Sequence, residues 1–327
     1  MSWAEAKYIT DKCGLIPNKL LKLNAVNGIL SWQAKDTIIE DQTLCKVGKI
    51  VFRYSADSAP ATVNDGTFLY ETTELRGAYN FTLDDGYISG FVYSSQGILN
   101  SKPVTTRIMN SKGFADDSWE IIQAYSDLGT AEQAYSVGDE KTISIDGTNY
   151  IVTILDFNHD ELADGSGKAG ITIGLKNCLK TTHAMNSSDK NSGGWESCAM
   201  RTWLQSTVLG WLPSDLQTVI KKVNKKATIG SQSTTINTSV DNLFLLADIE
   251  IFGSTTYGNS NEGTQYSYFT TTSRRIKTLG DGESAAWWWG RSPSVYNSNS
   301  FCYVTSGGSA ASLGAGSSSG VSFGFCI

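Results

Sequence analysis

The chain is short of charge. Aspartate, glutamate, lysine and arginine make up 18% of its 327 residues, against roughly 25% in an average soluble protein. With 26 basic and 32 acidic side chains the formal net charge is −6. No basic stripe exists to neutralise a phosphate backbone, which argues against nucleic acid as a partner. Two histidines, His159 and His183, and six cysteines without a C-x-x-C pair supply neither a zinc framework nor a dense disulfide scaffold. No stretch approaches the ~18 consecutive apolar residues of a membrane span, so no membrane insertion is expected. The opening Met1-Ser2-Trp3-Ala4-Glu5-Ala6-Lys7-Tyr8-Ile9 mixes both charge signs and lacks the roughly 7 to 15 apolar residues of a signal core. Synthesis in the cytoplasm without a signal peptide is the expectation, and a role outside the cell then needs another route, such as phage release. The glycosylation-like tripeptides at Asn80, Asn186 and Asn237 accordingly carry no weight.

What is present is a globular chain, 40% hydrophobic and 11% aromatic, longer than one typical core holds, so two domains are expected. Residues 1–22 read as a short amphipathic helical segment, with Trp3, Tyr8, Ile9, Leu15, Leu20 and Leu21 apolar and breaks at Gly14 and Pro17. Over 23–110 the period becomes two: Ile29 to Trp32, Lys49 to Tyr54, Thr67 to Tyr70 and Tyr87 to Tyr93 alternate, with turns at Asn64-Asp65-Gly66 and Asp84-Asp85-Gly86. That habit predicts a small β-sandwich, with Ser101 to Ala115 as a linker. In 111–327 a helix is predicted around Ser118 to Ile122, and a hairpin over Lys141 to Ile154 turning at Asp146-Gly147. A second helix carries Met200, Trp203, Leu204 and Val208, and a third carries Leu216, Val219, Ile220 and Val223 with Lys221, Lys222, Lys225 and Lys226 on or beyond its last turn.

From Ser292 to Ile327 there is no charged side chain, and most residues are Ser, Gly, Asn, Ala, Thr and Tyr. Such a segment ordinarily lacks the apolar area to offset chain entropy. Here Trp287-Trp288-Trp289 precede it and Val321, Phe323, Phe325 and Ile327 end it, so its middle is expected to be held as ordered strands and loops. Three constellations suggest chemistry. Asp164-Gly165-Ser166-Gly167-Lys168-Ala169 resembles a phosphate loop, but Leu162 stands where the first Gly belongs and Ala169 replaces the Ser or Thr. Asn158-His159-Asp160-Glu161 with Asp164 clusters oxygens as calcium prefers, with EF-hand spacing broken at Leu162. Cys302 and Cys326 could form a reactive pair or be buried thiols.

Residues 23–110 resemble a fibronectin type III or Ig-like module of phage tail proteins, on Leu30-Ser31-Trp32, Val51-Phe52-Arg53-Tyr54 and Asp65-Gly66-Thr67. From about 114 onward the chain resembles the variable proteins of diversity-generating retroelements, whose C-type lectin-like domain is close in fold to formylglycine-generating enzymes. The likeness lies in Phe157 to Gly165, Ile171 to Asn177, Gly194-Trp195-Glu196-Ser197 before Met200-Arg201, Leu212 to Leu216, Asp241 to Leu246, Glu250 to Gly253, Glu262 to Tyr266, and Trp288 to Pro293 with the Gly-Phe-Cys ending. It departs from that family at Gly290 and at Ser322-Phe323. The resemblance implies an α+β chain: an N-terminal all-β sandwich, then a C-type lectin-like domain with a variable region at about 288–327. It implies a non-enzymatic phage or prophage tail adhesin, a virion receptor-binding protein without a cofactor or metal, recognising a bacterial surface protein or glycan. Its partners would be tail or baseplate proteins, with homo-oligomers allowed.

The ligand contacts implied are Ser294, Val295, Tyr296, Asn297, Asn299, Phe301, Tyr303, Thr305, Ser306, Ser309, Ala310, Ser312, Ser317, Ser318 and Ser322, with Tyr296, Phe301 and Tyr303 as aromatic anchors. Trp287, Trp288, Trp289, Val321, Phe325 and Ile327 are expected as scaffold. The alternatives are a calcium-dependent sugar lectin and a formylglycine-generating-type oxidase.

Overall fold

In the computed structural model, residues 21–327 are described apart from 27, 41–42, 84, 98, 100–101 and 283. The helical segment expected over 1–22 lies outside them except for Leu21 and Lys22, which open a strand. The chain forms two compact units, Met1–Ser111 and Lys112–Ile327.

In the first unit the strands are β1 (Leu21–Val26), β2 (Ile29–Ala34), β3 (Thr37–Glu40), β4 (Thr43–Ser55), β5 (Thr67–Thr72), β6 (Arg76–Asn80), β7 (Tyr87–Ser94) and β8 (Val104–Met109). Alternation turns Leu30 and Trp32 of β2, and Ile50 and Phe52 of β4, into one core with Leu21, Leu23, Ile88 and Ile108. Trp32 sits 5.2 Å from Phe52, and its indole N–H donates to Glu74 O at 2.9 Å. The strands form one sheet, ordered β3-β4-β7-β8-β1-β2-β6 with β5 on β4. The expected two-sheet sandwich is therefore not formed. β8, in the stretch expected as a linker, pairs antiparallel with β7 and parallel with β1, joining what would have been separate sheets into a near-barrel. Register shifts at Val47/Lys49 and Phe52/Arg53 bend the long β4, as bulges do.

The second unit begins with the helix Trp119–Leu128, whose Ser118 hydroxyl accepts the Ile121 N–H, and which ends at left-handed Gly129. β9 (Glu140–Ile145) and β10 (Thr148–Phe157) form a hairpin through Asp146 and Gly147, both at positive φ. β11 (Ile171–Leu175) is buried along its length, then come β12 (His183–Ala184), the helix Ala199–Ser206, β13 (Val223–Thr228), β14 (Ile236–Asp241) and β15 (Phe244–Leu245). After β16 (Lys277–Thr278) and β17 (Ala285–Ala286) come β18 (Trp288–Pro293), β19 (Ser300–Val304), β20 (Ala310–Gly314), β21 (Ser318–Ser319) and β22 (Phe323–Cys326). The central sheet runs β15-β22-β11-β10-β9, and β18-β19-β20 form a separate one.

The expected α+β class with a C-type lectin-like domain is overturned: the described residues are 40% strand and 17% helix. Two local causes are visible. The third helix stops at Val219 after six residues, and Val223, Lys225 and Lys226 lie in a strand. The residues from Trp288 onward form five strands and no helix.

Candidate ligand-binding face

β18 is buried from Trp288 to Pro293, although it contains an arginine. Arg291 is made tolerable by complete use of its donors. Nη1 and Nη2 grip Glu250 at 2.5 and 2.7 Å, and the remaining N–H groups reach the carbonyls of Lys226, Leu245 and Glu262 at 2.9–3.0 Å. Burial disfavours its charge, but Glu250 outweighs that and raises the arginine pKa. Glu250 also accepts from Lys225 Nζ at 2.8 Å, and Lys225 donates to Asp160 at 2.6 Å and to the Tyr266 hydroxyl at 2.9 Å. Arg291, Glu250, Lys225 and Asp160 thus form a buried row of alternating sign. Burial works against both carboxylates, but Arg291 and Lys225 hold Glu250 below its ordinary range, and Lys225, then His159, hold Asp160 far below. Glu262, beside them, accepts from the Thr228 N–H and the Ser292 hydroxyl, and burial still pushes its pKa up to about 7. A cleft of about 400 Å³ opens over this row, lined among others by His159, Lys225, Glu250, Glu262 and Arg291. The four charges of the row are already paired to one another, which suits a rigid support for β18.

Beyond Pro293 the chain rises to the surface. Val295 is half-buried and residues 296–299 are exposed, Tyr296 at 62%. The loop is held mostly by its backbone. Val295 N–H donates to Tyr257 O at 2.8 Å, Asn191 Nδ2 reaches Asn297 O at 2.8 Å and Ser300 O at 2.7 Å, and Gln232 Nε2 reaches Tyr296 O at 2.8 Å. Further on, Gly316 N–H donates to Asp189 Oδ1 at 2.8 Å, Asn186 N–H donates to Ala315 O at 2.9 Å, and β21 pairs with β12. The holding groups Asn186, Asp189, Asn191, Gln232 and Tyr257 lie outside the uncharged segment, so most exposed side chains in it are free of structural duty. Asn299 is a partial exception, its Oδ1 accepting from the Ser300 hydroxyl at 2.8 Å, and the hydroxyl of the half-buried Thr305 accepts from Ser309 N–H at 3.1 Å.

The expected contact residues divide by depth. Tyr296, Asn297, Asn299, Ser309 and Ser318 are exposed, while Val295, Tyr303, Thr305, Ser306, Ala310, Ser312 and Ser317 are half-buried. Three are corrected. Ser294 and Ser322 are buried, the latter donating to Leu175 O at 3.1 Å, and Phe301 has no exposed area, so it is core and not an anchor. Trp287, expected as scaffold, is 50% exposed and lies 5.4 Å from the Tyr303 ring. Tyr257, missed in the sequence, meets Tyr296 edge-on at 6.1 Å. No spacing signal links these partners, which are far apart in the chain and are joined only by the fold.

The other constellations resolve locally. Asp160 points inward to Lys225 and Thr172, whereas Asp164 takes the Ser166 hydroxyl. Among the described residues no three His, Cys, Asp or Glu side chains gather as a metal site requires. Cys302 in β19 and Cys326 in β22 are free thiols whose pKa burial pushes well up.

A family model described as a domain of unknown function (DUF6273) matches residues 170–327, the part of the second unit that contains β18–β22. No curated protein and no solved structure matches the chain.

Proposed function

We propose that this is a ligand-binding protein whose surface between Pro293 and Gly320 is the contact face, carried by a phage or prophage tail and directed at a bacterial surface protein or glycan. The observation that carries the reading is the separation of duties within the uncharged segment. Its ends are buried at Ser292 to Ser294 and at Ser319 to Ile327, and its middle is tethered largely through backbone atoms. A surface held that way tolerates many side chains. The resemblance to diversified retroelement proteins accounts for why such tolerance would be selected. Tyr296, Tyr303 and Trp287 supply the rigid aromatic area and Asn297, Asn299 and the serines supply adaptable hydrogen bonding, as in paratopes. Binding of the full chain to a panel of bacterial cells tests the reading, with Tyr296→Ala and Tyr303→Ala as probes. Loss of binding by both with unchanged melting supports it; retention of full binding by both contradicts it. Sequencing of the adjacent DNA for a near-copy of the 3′ end differing almost only at adenines tests the diversification.

A further inference from the structure

β20 is an open strand edge within this face. It pairs with β19 on one side, in the order β18-β19-β20. Thr305 N–H donates to Ser309 O and Ala315 N–H to Asn299 O. The two-residue alternation of an antiparallel ladder between those bonds makes Tyr303/Ala311 and Phe301/Leu313 the hydrogen-bonded pairs. The N–H and C=O groups of Ala310 and Ser312 therefore point away from β19. Among the described residues these four groups have no hydrogen-bond partner.

Exposed edges are usually blunted by lysine, proline or a bulge. β20 reads Ala310-Ala311-Ser312-Leu313-Gly314, and its register on β19 is unbroken. Its short side chains allow a second backbone to approach to the ~4.8 Å of a paired strand. Tyr303 lies opposite Ala311, with the exposed Trp287 against its ring, so a residue arriving beside Ala311 meets aromatic surface. At the far end Asp189 crowds Gly314 and accepts from Gly316 N–H, which limits the open stretch to Ala310 through Ser312 and the approach to it.

We infer that β20 receives an extended, uncharged segment of a partner protein as an added strand, with a large apolar side chain beside Ala311. This rests on the ligand-binding reading above and narrows the ligand to protein. A donor and acceptor repeating every second residue complements a peptide backbone and has no counterpart in a sugar ring. The lack of charge along Ala310 to Ser312 disfavours a charged segment, whose desolvation nothing in the strand would offset.

The test screens the immobilised full chain against a displayed library of random nine-residue peptides and, in parallel, against bacterial surface glycans. Ser312→Pro removes an outward N–H without breaking a bond to β19, whereas Ser312→Thr keeps it. We expect Ser312→Pro to weaken selected peptides at least tenfold and Ser312→Thr less than threefold. Hydrogen exchange on the unaltered protein covers the case in which the proline variant misfolds. Amides of Ala310 and Ser312 should exchange fast in the free chain and slowly with peptide bound, and those of Ala311 and Leu313 slowly in both. Peptides that bind without protecting Ala310 and Ser312 overturn the strand-addition inference and leave the ligand-binding reading intact, as does binding of glycans alone. A homodimer dispersed by Ser312→Pro makes a second copy the occupant and overturns it too. Binding of neither peptides, glycans nor cells removes the ligand-binding reading itself.

Discussion

Replacing Lys225 by methionine removes the cation at the middle of the buried row while nearly preserving its volume. Asp160 loses its 2.6 Å partner and keeps the Thr172 and Tyr266 hydroxyls, and Glu250 keeps Arg291. One buried carboxylate is thus left without its main cation, a change that costs about 3–5 kcal/mol when a buried pair is broken on one side. For a unit of the size of Lys112–Ile327, about 2–4 °C per kcal/mol puts the loss at roughly 6–20 °C. The assay is thermal unfolding of the full chain followed by near-ultraviolet circular dichroism, which sees Trp195, Trp288 and Trp289 buried in this unit. Asp160 folds with a depressed pKa, so in the wild type its contribution is present above the ordinary carboxylate range and is lost as pH falls. The variant's deficit should therefore shrink on acidification, and Asp160→Asn added to Lys225→Met should recover part of it at neutral pH. A loss below about 1 kcal/mol, or a deficit independent of pH, would refute the row as the support of β18.

Glu262 titrates in the opposite sense. Its folded pKa of about 7 lies above the ordinary 4.5, so the folded form binds the extra proton. Its contribution is full below about pH 4.5 and is lost as pH rises through 7, a swing of roughly 3 kcal/mol. Glu262→Gln should flatten the stability profile between pH 5 and 8; a profile as steep as wild type by urea titration rejects this. Phe301→Ala should destabilise by about 3–5 kcal/mol as a buried aromatic, and Tyr296→Ala by less than about 1 kcal/mol while weakening ligand binding. Calorimetric melting with equal losses for the two would contradict their assigned depths.

Much of the secondary structure was legible because local rules govern it. The Asp146-Gly147 turn, the helix around Ser118 to Ile122 and the alternation through Leu30, Trp32, Ile50 and Phe52 declare themselves within a few residues. Pairing between distant strands does not. Nothing near Val104 to Met109 shows that it would pair in parallel with Ala25 and Val26, and that one pairing turns an expected sandwich into a near-barrel. Lys225 illustrates a second limit. In Val223-Asn224-Lys225-Lys226-Ala227 the alternate positions are the buried ones, a period-two signal hidden because the preceding Leu216, Val219 and Ile220 suggested continuation of a helix. At the face, the absence of charge marked the segment. Depth within it did not follow from composition: Phe301 and Tyr303 lie on the same side of β19, yet one is core and the other reaches the surface.

The most direct measurement randomises Tyr296, Asn297, Asn299, Ser306, Ser309, Ser317 and Ser318 together, and scores each member of the library for folding by protease resistance and for binding to bacterial cells. The account predicts that most members resist protease like wild type while their binding is lost or redirected. Collapse of folding across the library, or binding that stays the same whatever occupies these positions, would contradict it.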